Sequence, residues 1–223
     1  TLSSTSFNEN IKAGSVVVNL STTDDDASDG HTYTLVSGTG DTDNGSFTIE
    51  GSNLKISASP DYETQSSYNI RLKTTDSGGL TYQEAITLSV NDVNEVATDI
   101  SLTSTSFNEN IDAASTVATL STKDADASDS HTYELISGEG DTDNDSFTID
   151  ENTLKINSSP DYETQSSYNI RLKTTDSGGL PYEEAVTLNV NDLIDETPTD
   201  ISLSAISFDE NIDAESVIAT LSA

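Results

Sequence analysis

Tyr68-Asn69-Ile70-Arg71-Leu72-Lys73-Thr74 sets Tyr, Ile, Leu and Thr against Asn, Arg and Lys at every second position. A period of two is that of a strand with one buried face, whereas a helix repeats its apolar positions at three and four. Glu84, Ile86, Leu88 and Val90 alternate in the same way with Ala85, Thr87 and Ser89. Shorter runs at Val16 to Leu20, His31 to Val36, Ser46 to Ile49 and Leu54 to Ile56 lie between turns rich in Ser, Gly, Asp and Asn. With a strand near Phe7, the spacing predicts seven short strands in about a hundred residues, the pattern of an antiparallel Greek-key β-sandwich. The fold class is therefore all-β.

The run is not unique. Pro60 to Leu80 is identical to Pro160 to Leu180, and Ser6-Phe7-Asn8-Glu9-Asn10-Ile11 returns as Ser106-Phe107-Asn108-Glu109-Asn110-Ile111, each at an offset of one hundred. The junction Asn91 to Asp99 comes back, one residue longer, as Asn191 to Asp200. We expect tandem sandwiches over residues 1–96 and 97–197, each with its own core, and the truncated start of a third copy over 198–223. A copy that stops about a quarter of the way through reads as an excerpt from a longer array. Its would-be core residues, Phe208, Ile212, Val217, Ile218 and Leu221, belong to a stretch too short to bury a core unaided, so the tail is expected to be mobile.

Composition narrows the function. The formal charge of -32 arises from 40 acidic against 8 basic residues. Phosphate contacts require clustered Lys and Arg, so nucleic acid is excluded as a partner. Such acidity serves solubility, salt adaptation or hard-cation binding, and composition does not choose among them. Cys, Met and Trp are absent, which removes disulfides, thiol catalysis and Cys-based zinc sites. No apolar run approaches the roughly 20 residues of a membrane span, so no membrane insertion is expected. Gly-x-Ser-x-Gly and Ser/His/Asp arrangements are lacking, and paired carboxylates that recur in each copy suit architecture better than one active site. We expect no enzyme. His31 and His131, one per copy, are too few for a zinc centre and read as structural.

The acids recur at fixed places: Glu9, Asp24, Asp26, Asp61, Glu63 and Asp76 in the first copy, and Glu109, Asp124, Asp126, Asp161, Glu163 and Asp176 in the second. In a sandwich these positions lie at strand ends, where loops gather at the two poles. Calcium suits such a pole because it takes six to eight oxygens in irregular geometry, whereas magnesium demands an octahedron and zinc prefers His or Cys. The competing reading is that Asp, Asn and Ser simply fill turns. Asp41, Asp43 and Asn44, with Asp141, Asp143, Asn144 and Asp145, resemble the opening of an EF-hand loop, but no distal Glu closes it and a solvated turn is the expectation.

Glu9-Asn10, Asp124-Ala125-Asp126 with His131-Thr132-Tyr133, Asp61-Tyr62-Glu63, Asp76-Ser77-Gly78 and Asp92-Val93-Asn94-Glu95 together resemble the cadherin repeat, of the kind found in tandem in very large bacterial surface proteins. The resemblance implies a seven-stranded cadherin-like sandwich with calcium (Ca2+) where consecutive repeats meet. It assigns Glu9, Asp61, Glu63, Asp92, Asn94 and Glu95 of the upper copy and Asp124, Asp126 and Asp176 of the lower to one junction. Half-sites at the ends would use Asp24, Asp26 and Asp76, and Glu109, Asp161, Glu163, Asp192 and Asp195. Departures from the family pattern are Val96 at a position that is often Asn, the missing Pro in the first linker, and Ile194 in place of the linker Asn in the second. Each removes or weakens an oxygen donor. The implied role is a calcium-stiffened extracellular spacer in a surface adhesin or filament, with neighbouring repeats of the same chain as partners. The alternative is a module that itself binds carbohydrate or another copy of the repeat.

Overall fold

The computed structural model describes residues 1–26, 28–194 and 201–222. It is all-β apart from the 3-10 turns Asn44–Ser46 and Asn144–Ser146. In the first copy, β1 (Ser6–Asn8), β7 (Thr81–Asn91), β6 (Ser67–Thr75) and β3 (Thr32–Leu35) form one sheet in that spatial order. The second sheet contains β2 (Val16–Asn19), β5 (Asn53–Ile56) and β4 (Phe47–Glu50). Pairs are antiparallel except β1 with β7, which run parallel with Phe7 opposite Val90.

The period of two becomes the core directly. Tyr68, Ile70 and Leu72 of β6 and Leu88 and Val90 of β7 turn inward to meet Val18, Leu54, Ile56 and Phe47 of the facing sheet. Phe7, Phe47 and Tyr68 form an aromatic cluster, with Phe47 edge-on to Tyr68 at 5.3 Å between centroids. Each such side chain contributes about 1.5–3 kcal/mol by leaving water. Phe107, Phe147 and Tyr168 repeat the cluster in the second copy.

The second copy carries β8 (Asp99–Leu102), β9 (Ser106–Asn108), β10 (Thr116–Lys123), β11 (Thr132–Leu135), β12 (Phe147–Asp150), β13 (Thr153–Ile156), β14 (Ser167–Thr175) and β15 (Pro181–Asn191). Its sheets run β12-β13-β10-β8 and β11-β14-β15-β9. It thus has one strand more than the predicted seven: Asp99–Leu102 pairs with β10, where the first copy has only a single bridge from Leu2 to Leu20. Beyond it, β16 (Ser202–Leu203) pairs with β17 (Leu221–Ser222), and Phe208 and Val217, in the stretch expected to be too short for a core of its own, are exposed.

The chain divides into two compact units that do not coincide with the copies. The first spans Thr1–Thr98, Lys123–His131 and Thr175–Tyr182; the second spans Asp99–Thr122, Thr132–Thr174 and Glu183–Ala223. Two loops of the second copy therefore belong to the first unit. Among the described residues no helix is long and apolar enough to cross a membrane.

Candidate metal centre

Glu9 follows β1, and the parallel register of β1 with β7 sets it beside the start of the linker. Glu9 is 3% exposed, and its carboxylate accepts the Tyr62 and Val93 amide hydrogens, both at 2.7 Å. One side chain therefore ties the turn after Pro60 to the linker. Glu109 does the same for Tyr162 and Leu193. Asp61 instead closes its own turn, accepting both the hydroxyl and the amide of Thr64, which hold its carboxyl below the usual range. Asp161 is held in the same way by Thr164.

Around Glu9 the acids crowd together. Glu9, Glu63 and Asp92 each offer an oxygen within 4.8 Å of the others, and so do Glu63, Glu95 and Asp126. Like charges at that separation repel by about 3 kcal/mol at an effective dielectric near 20. Burial, with the charges of Glu9, Asp92 and Asp126, raises the Glu63 carboxyl. Asp92 is raised by desolvation and by Asp126. Glu95 is pushed up to about 7, chiefly by burial; Asn10 donates to one of its oxygens, and Oε2 is buried with no partner.

A third group adjoins it. Asp124, Asp129 and Asp176 place oxygens within 4.8 Å of one another. Asp126 Oδ2 accepts the Glu95 amide hydrogen at 2.8 Å, and Asp176 Oδ2 accepts from Asn94 Nδ2 at 2.9 Å. These contacts and all three acidic groups lie within the first compact unit. Burial opposes the charge on Asp176, but hydrogen bonds from Asn94 and from the amides of residues 178–180 outweigh it and hold the carboxyl low. Asp129 accepts Ser177 Oγ at 2.6 Å on one oxygen; the other is buried and unpartnered.

The donor set fits calcium. It is all oxygen, carries more negative charge than the neighbouring protein groups neutralise, and leaves Glu95 Oε2 and Asp129 Oδ2 buried with nothing to bond. A hard cation with six to eight oxygen ligands would answer each of these features.

Sequence reasoning missed Asp29 and Asp129. The signal was present as Asp-x-Asp-x-x-Asp at Asp24, Asp26 and Asp29, and again at Asp124, Asp126 and Asp129. Asp24, Asp29 and Asp76 gather as their second-copy counterparts do, whereas Asp26 stays exposed. Glu109, Glu163 and Asp192 form a group equivalent to Glu9, Glu63 and Asp92. Asp195 lies outside the described residues. The histidines are structural in a specific sense: His131 Nε2 bonds Asp124 Oδ2 at 2.8 Å, and His31 bonds Asp24 at 3.0 Å.

The loop at Asp41 is a turn whose half-buried polar side chains also bond the protein. Asp41 accepts the Gly38 amide hydrogen, Asp43 accepts from Asn69 and Gln65, and Asn44 accepts the Arg71 amide hydrogen while donating to the Val36 carbonyl. Asp141, Asp143 and Asn144 repeat these bonds. The loop is locked to the edge of the sheet by side chains that a cation would have to detach.

The family model for the cadherin domain matches residues 3–91 and 103–191. The chain is 31% identical over 203 residues to human Protocadherin-1, covering 86% of this chain and 19% of that protein. It is 36% identical over 92 residues to Cadherin-3 of Caenorhabditis elegans, covering 40% and 3%. It therefore spans about a fifth or less of these relatives. Human Protocadherin-24 EC1-2 has a similar fold, with a TM-score of 0.64 at 21% identity over 84% of this chain and 94% of that one. The Protocadherin GammaB4 extracellular domain gives 0.59 at 23% identity over 93% and 34%.

Proposed function

We propose that this chain, which belongs to the cadherin family, is a calcium-stiffened extracellular spacer, with repeats at 1–96 and 97–197 and the start of another at 198–223. Cadherin domains generally bind calcium. The observation that carries the reading is the convergence of Glu9, Glu63, Asp92 and Glu95 from the first copy with Asp124, Asp126, Asp129 and Asp176 from the second in one compact unit, with two buried oxygens unpartnered. Asn94 and the turn-closing Asp61 support the set. Without a cation these carboxylates push the linker and loops apart; with one they attract them, so ion binding becomes linker rigidity.

Near-identity of the copies supports the same duty at each position, as in a long surface adhesin. We place that adhesin on bacteria from the resemblance of the repeat, although the curated relatives described above are animal proteins. A second reading, pairing with another copy or with carbohydrate, has one observation in its favour: Leu80 and Tyr82 are 77% and 64% exposed side by side.

Isothermal titration of the 223-residue chain with calcium tests the proposal. We expect binding in the micromolar to millimolar range and at least a tenfold weakening with Asp124→Ala plus Asp126→Ala. No heat, or unchanged affinity in the double variant, would overturn it. Occupancy should also differ between equivalent groups. The Asp24 side chain is 26% exposed against 3% for Asp124, so the Asp24, Asp29, Asp76 group starts from weaker desolvation and fewer surrounding donors. Terbium titration followed by luminescence should fill the Asp124 group first, and equal filling would contradict the pairing.

A further inference from the structure

The first linker meets the turn at residues 176–180, where Asn94 lies over Gly178. A Cβ on Gly178 would stand closer than 3.0 Å to Oδ1, Cγ and Nδ2 of Asn94. Real Cβ atoms do not approach so near, so the carboxamide occupies the space a side chain would need. From that position Asn94 Nδ2 donates to Asp176 Oδ2 at 2.9 Å. The other oxygen of Asp176, a residue only 6% exposed, accepts the Leu180 amide hydrogen at 2.8 Å. The acceptor is thus fixed by its own turn before the amide arrives.

The first copy shows the same turn without that neighbour. Asp76 to Leu80 has the identical sequence, with Leu80 N–H on Asp76 Oδ1 at 2.8 Å and Gly79 N–H on the Asp76 carbonyl at 3.2 Å, both matched in the second copy. Yet a Cβ on Gly78 would meet nothing nearer than Asp76 Oδ1 at 3.4 Å. The turn does not change shape to receive the amide. The second linker has Ile194 where the first has Asn94; it can donate no hydrogen bond, and its side chain is fully exposed.

We propose that Gly178 and Asp176 form a preformed receptor for a carboxamide side chain, and that Asn94 in this receptor is a lock holding the first linker to the 176–180 turn without any metal ion. Asn94 selects which linkers this turn accepts: Asn fits, and a branched apolar side chain does not. The lock needs no cation: in chelator it holds the linker at Asn94 against the repulsion of the neighbouring carboxylates, so its failure would leave calcium binding standing and a failure of calcium binding would leave the lock standing.

Hydrogen exchange on the 223-residue chain in EGTA provides the test, with the Glu95 amide, which donates to Asp126 Oδ2, as reporter. Gly178→Ala and Asn94→Ile should each speed its exchange at least tenfold. Gly78→Ala, the same change in the same sequence, should leave it as in the unaltered chain. Adding Gly178→Ala to Asn94→Ala should cost nothing beyond Asn94→Ala alone, because the displaced group is already gone. Equal effects of Gly78→Ala and Gly178→Ala, additive effects in the double variant, or a Glu95 amide already unprotected in EGTA would each overturn the lock.

Discussion

Leu172→Ala is expected to destabilise the second copy by about 3–5 kcal/mol, at the upper end for a buried leucine, with the melting temperature falling by more than about 10 °C. Leu172 has no exposed surface, and its β14 neighbour Thr174 is equally buried, its hydroxyl bonded to Thr122 Oγ1, which in turn meets the Tyr133 hydroxyl. Removing the isobutyl group leaves a cavity that this network cannot collapse to fill. The same change at Leu72, in an identical strand sequence, should cost only about 2–3 kcal/mol, because Leu72 retains 8% exposure and Thr74 is only half-buried. Chemical denaturation of the two variants in chelator compares them. Equal losses would show that the difference in burial carries no energy.

Glu95→Gln should act with opposite sign in two conditions. With calcium, loss of a carboxylate from the Glu63, Glu95, Asp126 group should weaken binding tenfold to a hundredfold. At a fixed calcium level near a hundred times the original dissociation constant, about 1.3 of the roughly 2.7 kcal/mol supplied by binding is then lost for a tenfold weakening and about 2.3 kcal/mol for a hundredfold one. In EGTA the same variant should be more stable than the unaltered chain. Above about pH 7 Glu95 carries a charge into a half-buried position facing Glu9, Glu63 and Asp126, and its Oε2 has nothing to bond. Gln keeps the shape and an acceptor for Asn10 while removing the repulsion. Thermal melts with calcium and with EGTA give both signs; a variant destabilised in EGTA would show that Glu95 is held for the fold and not for an ion.

Much of this was legible in the sequence. Tyr68, Ile70 and Leu72 alternate because a strand in a two-sheet sandwich has one dry face, and the same periodicity located the other strands of the first copy to within a few residues. Glu9, Glu63, Asp92 and Glu95 could be named because their motifs resemble the cadherin repeat, whereas residue type and spacing alone left cation binding and plain turn-filling both open. The strand Asp99–Leu102 was not legible, as its four residues lack an alternation long enough to separate them from the linker.

The sequence by itself determined the strands, the repeat and the acidic motifs, because these depend on residue type and short spacing. The tertiary structure alone decided which copies of identical residues differ. Pro60 to Leu80 and Pro160 to Leu180 are the same word for word, yet Asp76 is half-buried and Asp176 buried, and Gly178 underlies an amide while Gly78 does not. It also decided that Asp43 and Asn44 are spent on Asn69 and Arg71, and that Asp129 rather than Asp126 completes the group with Asp124 and Asp176. Burial, hydrogen-bond competition and charge crowding are properties of what lies across the fold, 82 residues away along the chain in the case of Asn94 and Asp176, and no local pattern encodes that neighbour.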